Sequence, residues 1–133
     1  MLKLTKKVEY GLIALNHMRS SSHLKSLHSA KEISERYSLP KETLAKILQL
    51  MVRFNYIHAV KGANGGYYID KSIENVNLMD FIEKIEGPIG LADCNIDLEC
   101  SLIEQCNIRK PIKSINNNVK ELFKNTPLTD LFN

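Results

Sequence analysis

The 133-residue sequence has no tryptophan, three cysteines, four prolines and six glycines, and only 7% of its residues are aromatic. It also lacks any apolar run near the ~18 residues a membrane helix needs. Its first residues, Met1-Leu-Lys-Leu-Thr-Lys-Lys, pass into an amphipathic pattern without the apolar core of a signal peptide. With 44% hydrophobic and 25% charged residues, disorder and low complexity are not expected either. The expectation is one ordinary cytoplasmic domain, long enough to bury a core and neither secreted nor membrane-spanning. A cytosolic chain would not be expected to keep disulfides, and three cysteines cannot all pair within one chain. Cys94, Cys100 and Cys106 are therefore either inert or chemical. Phosphate loop, nucleotide fingerprint and nucleophile with a nearby histidine are all missing, so an enzyme is not expected.

What is present is an uneven distribution of charge. Residues 1–69 hold 11 Lys/Arg against 4 Asp/Glu, residues 70–106 hold 2 against 9, and residues 107–133 hold 5 against 2. A basic first half followed by an acidic segment suggests a polyanion-binding domain joined to a part that stays off the polyanion. An uneven solvated surface would give the same counts.

Periodicity divides the chain into short elements. Thr5 is a plausible N-cap for a first helix with Val8, Leu12 and Leu15 in helical spacing. Ser29 and Glu32 read as a capping box opening a second helix that runs to about Tyr37. Pro40 suits the first position of a third helix, in which Leu44, Ile47, Leu48 and Met51 form the apolar stripe, ending near Phe54. Ile57–Val60 and Tyr67–Ile69 read as strands around a glycine-rich turn. Asn77 can cap a fourth helix with Leu78, Phe81, Ile82 and Ile85 on its inner face, stopped by Gly87-Pro88. Residues 89–106 read as a loop, and Pro111 opens a final helix bearing Ile112, Ile115, Val119, Leu122 and Phe123. That stripe is expected to meet a second copy of itself, with folding back onto its own domain as the alternative.

Three helices followed by a two-stranded hairpin is the order of a winged helix-turn-helix, whose third helix enters the major groove of DNA. Lys41, Glu42, Thr43 and Lys46 lie in the first turns of that helix, off its apolar stripe, where they can reach bases or phosphates. Lys61, Asn64 and Gly65 lie in the hairpin turn, where glycine lets backbone approach a phosphate or a narrow groove. The cysteines form a Cys94-x5-Cys100-x5-Cys106 run. This is not the C-x2-C spacing of zinc ribbons, and His17, His23, His28 and His58 all lie in the first half. Three thiolates so placed suit an iron-sulfur cluster that takes a fourth ligand from elsewhere, a zinc site, or thiols that are redox-active or inert.

Several of these segments, in order, resemble the bacterial winged-helix iron-sulfur transcription regulators typified by IscR and NsrR. They are Leu4-Thr5-Lys6, Tyr10-Gly11-Leu12-Ile13-Ala14-Leu15, Ile33-Ser34-Glu35-Arg36, Leu44-x2-Ile47-Leu48, Lys61-Gly62-x2-Gly65-Gly66-Tyr67, Glu86-Gly87 and the triple cysteine. The resemblance implies a homodimeric regulator, usually a repressor, whose 2Fe-2S or 4Fe-4S cluster sets its affinity for a double-stranded operator. Cys94, Cys100 and Cys106 would hold the cluster, the third helix would read DNA, and Lys61 would take the basic position of the wing, where Arg is common. IscR-like proteins carry a His three residues after the third cysteine, whereas Arg109 stands there and stays protonated. NsrR-like proteins use a carboxylate of the first helix from across the dimer, and Glu9 occupies that place. It is the only acidic residue before Glu32.

The resulting expectation is a mainly α fold with a small β-hairpin wing: residues 1–76 a winged helix-turn-helix, 77–106 a connecting helix and cysteine loop, and 107–133 a dimerisation helix and tail. Its function would be regulated DNA binding that senses iron-sulfur, nitric oxide or redox status. The alternatives are a regulator of the same fold using thiol oxidation or zinc, and a small metal or redox protein without DNA function.

Overall fold

Thr5 has an extended backbone, and its hydroxyl accepts the Val8 N–H at 3.4 Å, so the first helix, α1, covers Lys6–Ser20. The structure is a computed structural model that describes residues 3–22, 26–90 and 107–132. Ser29 caps α2, Ala30–Tyr37, by accepting the Glu32 N–H at 3.0 Å. The Glu32 carboxylate, expected only as the return half of a capping box, also has an oxygen 2.7 Å from a ring nitrogen of each of His17 and His28. Ser38 then turns through left-handed φ, and Ser34 bonds Leu39 through both its carbonyl and its hydroxyl. Pro40 keeps an extended ψ of 121°, so it is the cap and not the first residue of α3, which covers Lys41–Arg53. Asn55 at φ 63° closes α3 in the left-handed conformation that a short polar side chain tolerates.

The hairpin pairs β1, Ile57–Val60, with β2, Gly66–Ile69, antiparallel, from Ile57 opposite Ile69 to Val60 opposite Gly66. Two strands alone are marginal in water. A bridge outside the hairpin reinforces them: the His28 N–H donates to Tyr67 O at 2.9 Å, and the Tyr67 N–H donates to His28 O at 2.7 Å. Gly66 is required there, since a Cβ would stand 2.9 Å from the His28 carbonyl oxygen. At the open end of the hairpin His58 Nε2 lies 2.5 Å from Asp70 Oδ1, and the Ser72 N–H donates to Asp70 Oδ2 at 2.8 Å. The hydrogen bonds from Ser72 and then His58 lower the Asp70 carboxyl to about 2 from an ordinary 3.8.

After a 3-10 turn at Lys71–Asn75, Asn77 caps α4, Leu78–Glu86, accepting the Asp80 N–H at 2.9 Å. Leu78, Phe81, Ile82 and Ile85 are buried as the spacing predicts, and Met79 is buried with them. The last helix, α5, spans Arg109–Lys124, so it begins two residues before Pro111. Proline is tolerated in a first turn because its missing N–H would have had no intrahelical acceptor. The chain then folds back: the Leu78 N–H donates to Thr126 O at 2.8 Å, the Leu128 N–H donates to Val76 O at 3.0 Å, and Leu128 is fully buried. The expected fold class holds, with α1, α3 and α4 packed on one another around Leu15, Ile47, Leu48, Met51 and Phe81.

At the centre of that packing a Cβ on Gly11 would lie 2.9 Å from Phe81 Cζ and 3.6 Å from Ile47 Cγ2. Replacing Gly11 with Val should therefore cost about 1–3 kcal/mol through overpacking, read as a lower denaturant midpoint at unchanged slope. Asp70→Asn gives a pH-dependent effect. The stabilisation from Asp70 is complete above its unfolded value of 3.8 and is lost as pH falls through its folded value of about 2. The Tm gap between parent and variant should be constant down to about pH 5 and narrow at about pH 3 and below.

Candidate nucleic-acid interface and cysteine segment

The third helix divides cleanly by burial. Leu44, Ile47, Leu48 and Met51 face the core, leaving Lys41, Glu42 and Lys46 exposed and Thr43 half-buried. Gln49 and Arg53 are exposed too, and their spacing from Glu42 and Lys46 puts them on the same face. Sequence reasoning stopped at the first two turns of this helix. The apolar stripe already defined its complement, and reading that complement to the end would have added both residues. Charge on this face is mixed, three cations with one acid and two neutral polar side chains.

The wing tip is built from Lys61–Asn64, all exposed. The Gly65 N–H donates to Gly62 O at 3.0 Å, and a Cβ on Gly65 would stand 2.0 Å from Val60 O, so the turn needs glycine to close. Gly65 thus shapes the tip that presents Lys61 and Asn64. Tyr68, 42% exposed, lies on β2 with its ring 5.1 Å from that of His58. The helix-turn-helix and the wing are joined by chain continuity through Phe54–Tyr56 and by the His28–Tyr67 bridge.

Cys94, Cys100 and Cys106 lie outside the described residues. Glu9 lies in the first turn and a half of α1, half-exposed, with its carboxylate 3.2 Å from Lys6 Nζ. The same end of α1 is tied to the end of α4, where Thr5 Oγ1 donates to Glu86 Oε1 at 2.5 Å. The last turn before the cysteine-bearing stretch is thereby fixed against the helix that carries Glu9. At the N-cap of α5 and along the helix, Ile108, Ile115 and Leu122 are 56%, 51% and 63% exposed and recur every seven residues, while Phe123 packs on the core. Among the described residues no helix is long and apolar enough to cross a membrane.

Comparison with known proteins agrees with this architecture. CymR of B. subtilis, described as its global cysteine regulator, is 27% identical with a TM-score of 0.74, covering 98% of this chain and 96% of its own. A putative transcriptional regulator of Listeria innocua is 25% identical with a TM-score of 0.78, over 97% of this chain and 85% of its own. IscR of T. potens shares the fold at 21% identity and a TM-score of 0.70, over 98% and 85% of the two chains. Residues 4–133 match the family model Rrf2, iron-dependent transcriptional regulator, and with its helix-turn-helix, wing and C-terminal helix in that order the chain belongs to the Rrf2 family of transcriptional regulators.

Proposed function

We propose that this regulator is a homodimer that binds a near-palindromic operator through α3 and the wing, and that chemistry at Cys94, Cys100 and Cys106 sets its affinity. The observation that carries the DNA-binding part is the exposed polar face of α3 beside a glycine-built wing tip, in the basic half of the chain. Lys41, Glu42, Thr43 and Lys46, joined by Gln49 and Arg53, form the reading face, and Lys61 and Asn64 are presented by the Gly65 turn. Residues 1–76 are the DNA-binding unit, 77–106 the connecting helix and cysteine segment, and 107–133 the dimerisation helix and tail. The seven-residue spacing of Ile108, Ile115 and Leu122 supports a helix-to-helix seam between two copies.

The donor set suits an iron-sulfur cluster, 2Fe-2S or 4Fe-4S: three thiolates from one short segment, with a carboxylate at Glu9 for the remaining position. Bound there, the group would supply a centre sensitive to iron supply, oxidants or nitric oxide. The chain's own part is mechanical. Thr5 and Glu86 already join α1 to α4, so a ligand bond from Glu9 to the cysteine segment would load the helix that packs on α3. A second reading, in which the thiols themselves are oxidised without a cluster, is favoured by the 27% identity to a protein named for cysteine regulation.

Binding to a selected operator should weaken steeply with salt, and half-sites should lie about one helical turn, ~34–36 Å, apart. Lys61→Ala should lower affinity and reduce the salt slope by about 1 if Lys61 meets a phosphate. Equal binding by parent and variant would remove Lys61 from the interface. For the sensor, anaerobic reconstitution with iron and sulfide counts should give a visible chromophore. Each of Cys94→Ser, Cys100→Ser and Cys106→Ser should abolish or destabilise it, and Glu9→Ala should shorten its lifetime and alter its spectrum. A colourless protein whose DNA affinity still responds to thiol oxidation would decide for the second reading.

A further inference from the structure

Beside the wing, three side chains of metal-ligating type converge from three separate places. His17 comes from α1, His28 from the segment that bridges the wing, and Glu32 from the first turn of α2. Glu32 Oε2 lies 2.7 Å from His17 Nε2 and 2.7 Å from His28 Nδ1, and one ligand atom from each of the three lies within 4.8 Å of the other two. The imidazoles meet edge to face with centroids 5.0 Å apart. His28 is buried, and its Nε2 has no hydrogen-bond partner among the described residues. A buried imidazole set against a carboxylate is a costly group to keep for packing alone, and its Nδ1 is the nitrogen turned toward Glu32.

We propose that His17, His28 and Glu32 bind a first-row divalent cation of the zinc class, stapling α1, α2 and strand β2 of the wing. Two imidazoles and a carboxylate are the donor set that zinc and its neighbours favour. Bonds of about 2.0–2.2 Å separate adjacent ligand atoms by roughly 3.3 Å, so the two 2.7 Å contacts to Glu32 need open by only about 0.6 Å. The second shell is in place. Tyr37 Oη lies 2.7 Å from His17 Nδ1, and a phenol both donates and accepts. Without a metal, the tautomer that carries hydrogen on His17 Nε2 donates to the carboxylate and accepts from Tyr37 at Nδ1. With a metal on Nε2 the proton moves to Nδ1 and Tyr37 accepts it. One side chain thus satisfies both tautomers, as outer-shell partners of metal-bound histidine do. Glu32 is 22% exposed, so the cluster is not sealed from solvent.

The site has a mechanical consequence. His28 is joined to Tyr67 of β2 through both its backbone groups, so a cation held by His28 fixes the wing against α1 and α2, the two helices that precede α3.

The test must separate this site from the thiols. Co2+ is titrated into the full chain carrying Cys94→Ser, Cys100→Ser and Cys106→Ser. The expected result is visible absorption of a nitrogen and oxygen site, saturating at one ion per chain, with a raised Tm in Zn2+. Adding His17→Gln, which keeps a polar side chain able to bond Tyr37 and Glu32 at a position only 10% exposed, should weaken binding by at least about tenfold, and Glu32→Gln should do the same. If the serine substitutions unfold the chain, equilibrium dialysis of the parent against His17→Gln replaces this arm, with one bound Zn2+ per chain expected to be lost. Absence of Co2+ absorption and of any Zn2+ shift in a folded cysteine-free chain would overturn the proposal. So would equal metal affinity in parent and His17→Gln.

Discussion

The contact on which the rest depends is the close approach of α1 to α3 and α4 at Gly11. With no Cβ at this position, Phe81 of α4 comes within reach of the α1 backbone while Ile47 of α3 closes the third side. Everything that presents chemistry hangs from these helices. The exposed face of α3 is exposed because its opposite face is spent here. Glu9 lies half a turn before Gly11, on the same helix. The end of α4, tied to Thr5, leads toward the cysteines. A side chain at position 11 would separate α1 from α4 and change the angle at which α3 is offered, although it touches neither DNA nor cysteine.

Much of this arrangement could be read from the residues because the relevant forces are local. Thr5, Ser29 and Asn77 each satisfy an orphan helix N–H three residues on, and each begins its helix where capping chemistry says it should. The hairpin followed from glycines that only a tight turn explains. Boundaries slipped where the local rule admits more than one answer. Pro40 is acceptable either as cap or as first helical residue, and Pro111 anywhere in a first turn. The exposed tail of the stripe on α3 was available too, since Gln49 and Arg53 are the complement of a buried pattern already identified.

What could not be read is long-range. Nothing in the spacing of His17, His28 and Glu32 says that they meet, because their meeting depends on His17 of α1 facing Glu32 of α2 and on residue 28 joining the wing. Glu32 illustrates the difference. Its position three residues after Ser29 marks a capping box, a local role, yet its carboxylate also faces two imidazoles, one of them fifteen residues away. The return of the tail to Val76 and Leu78 is equally non-local, since Leu128 is one apolar residue in a weakly patterned stretch. The cysteine spacing suggests ligand chemistry, but residues 91–106 are not described, so the placement of the three thiols rests on sequence alone.

These non-local ties also dictate how a signal could travel. The wing is a two-stranded hairpin and owes its orientation to the bridge at His28 and the clamp of Asp70 on His58 and Ser72. The recognition helix owes its orientation to α1 and α4. A change at the cysteine segment would enter through Glu86, Thr5 and Glu9, and would reach α3 first, through Gly11. A change at the histidine cluster enters through His28 and reaches the wing first. Coupling free energies of only about 1–3 kcal/mol suffice for tenfold changes in DNA affinity, and each route passes through a contact with almost no slack. The third helix and the wing can therefore be biased separately, one through the α1–α4 junction and the other through the His28–Tyr67 bridge. A single rigid domain in which both depended on one contact could not be biased in that way.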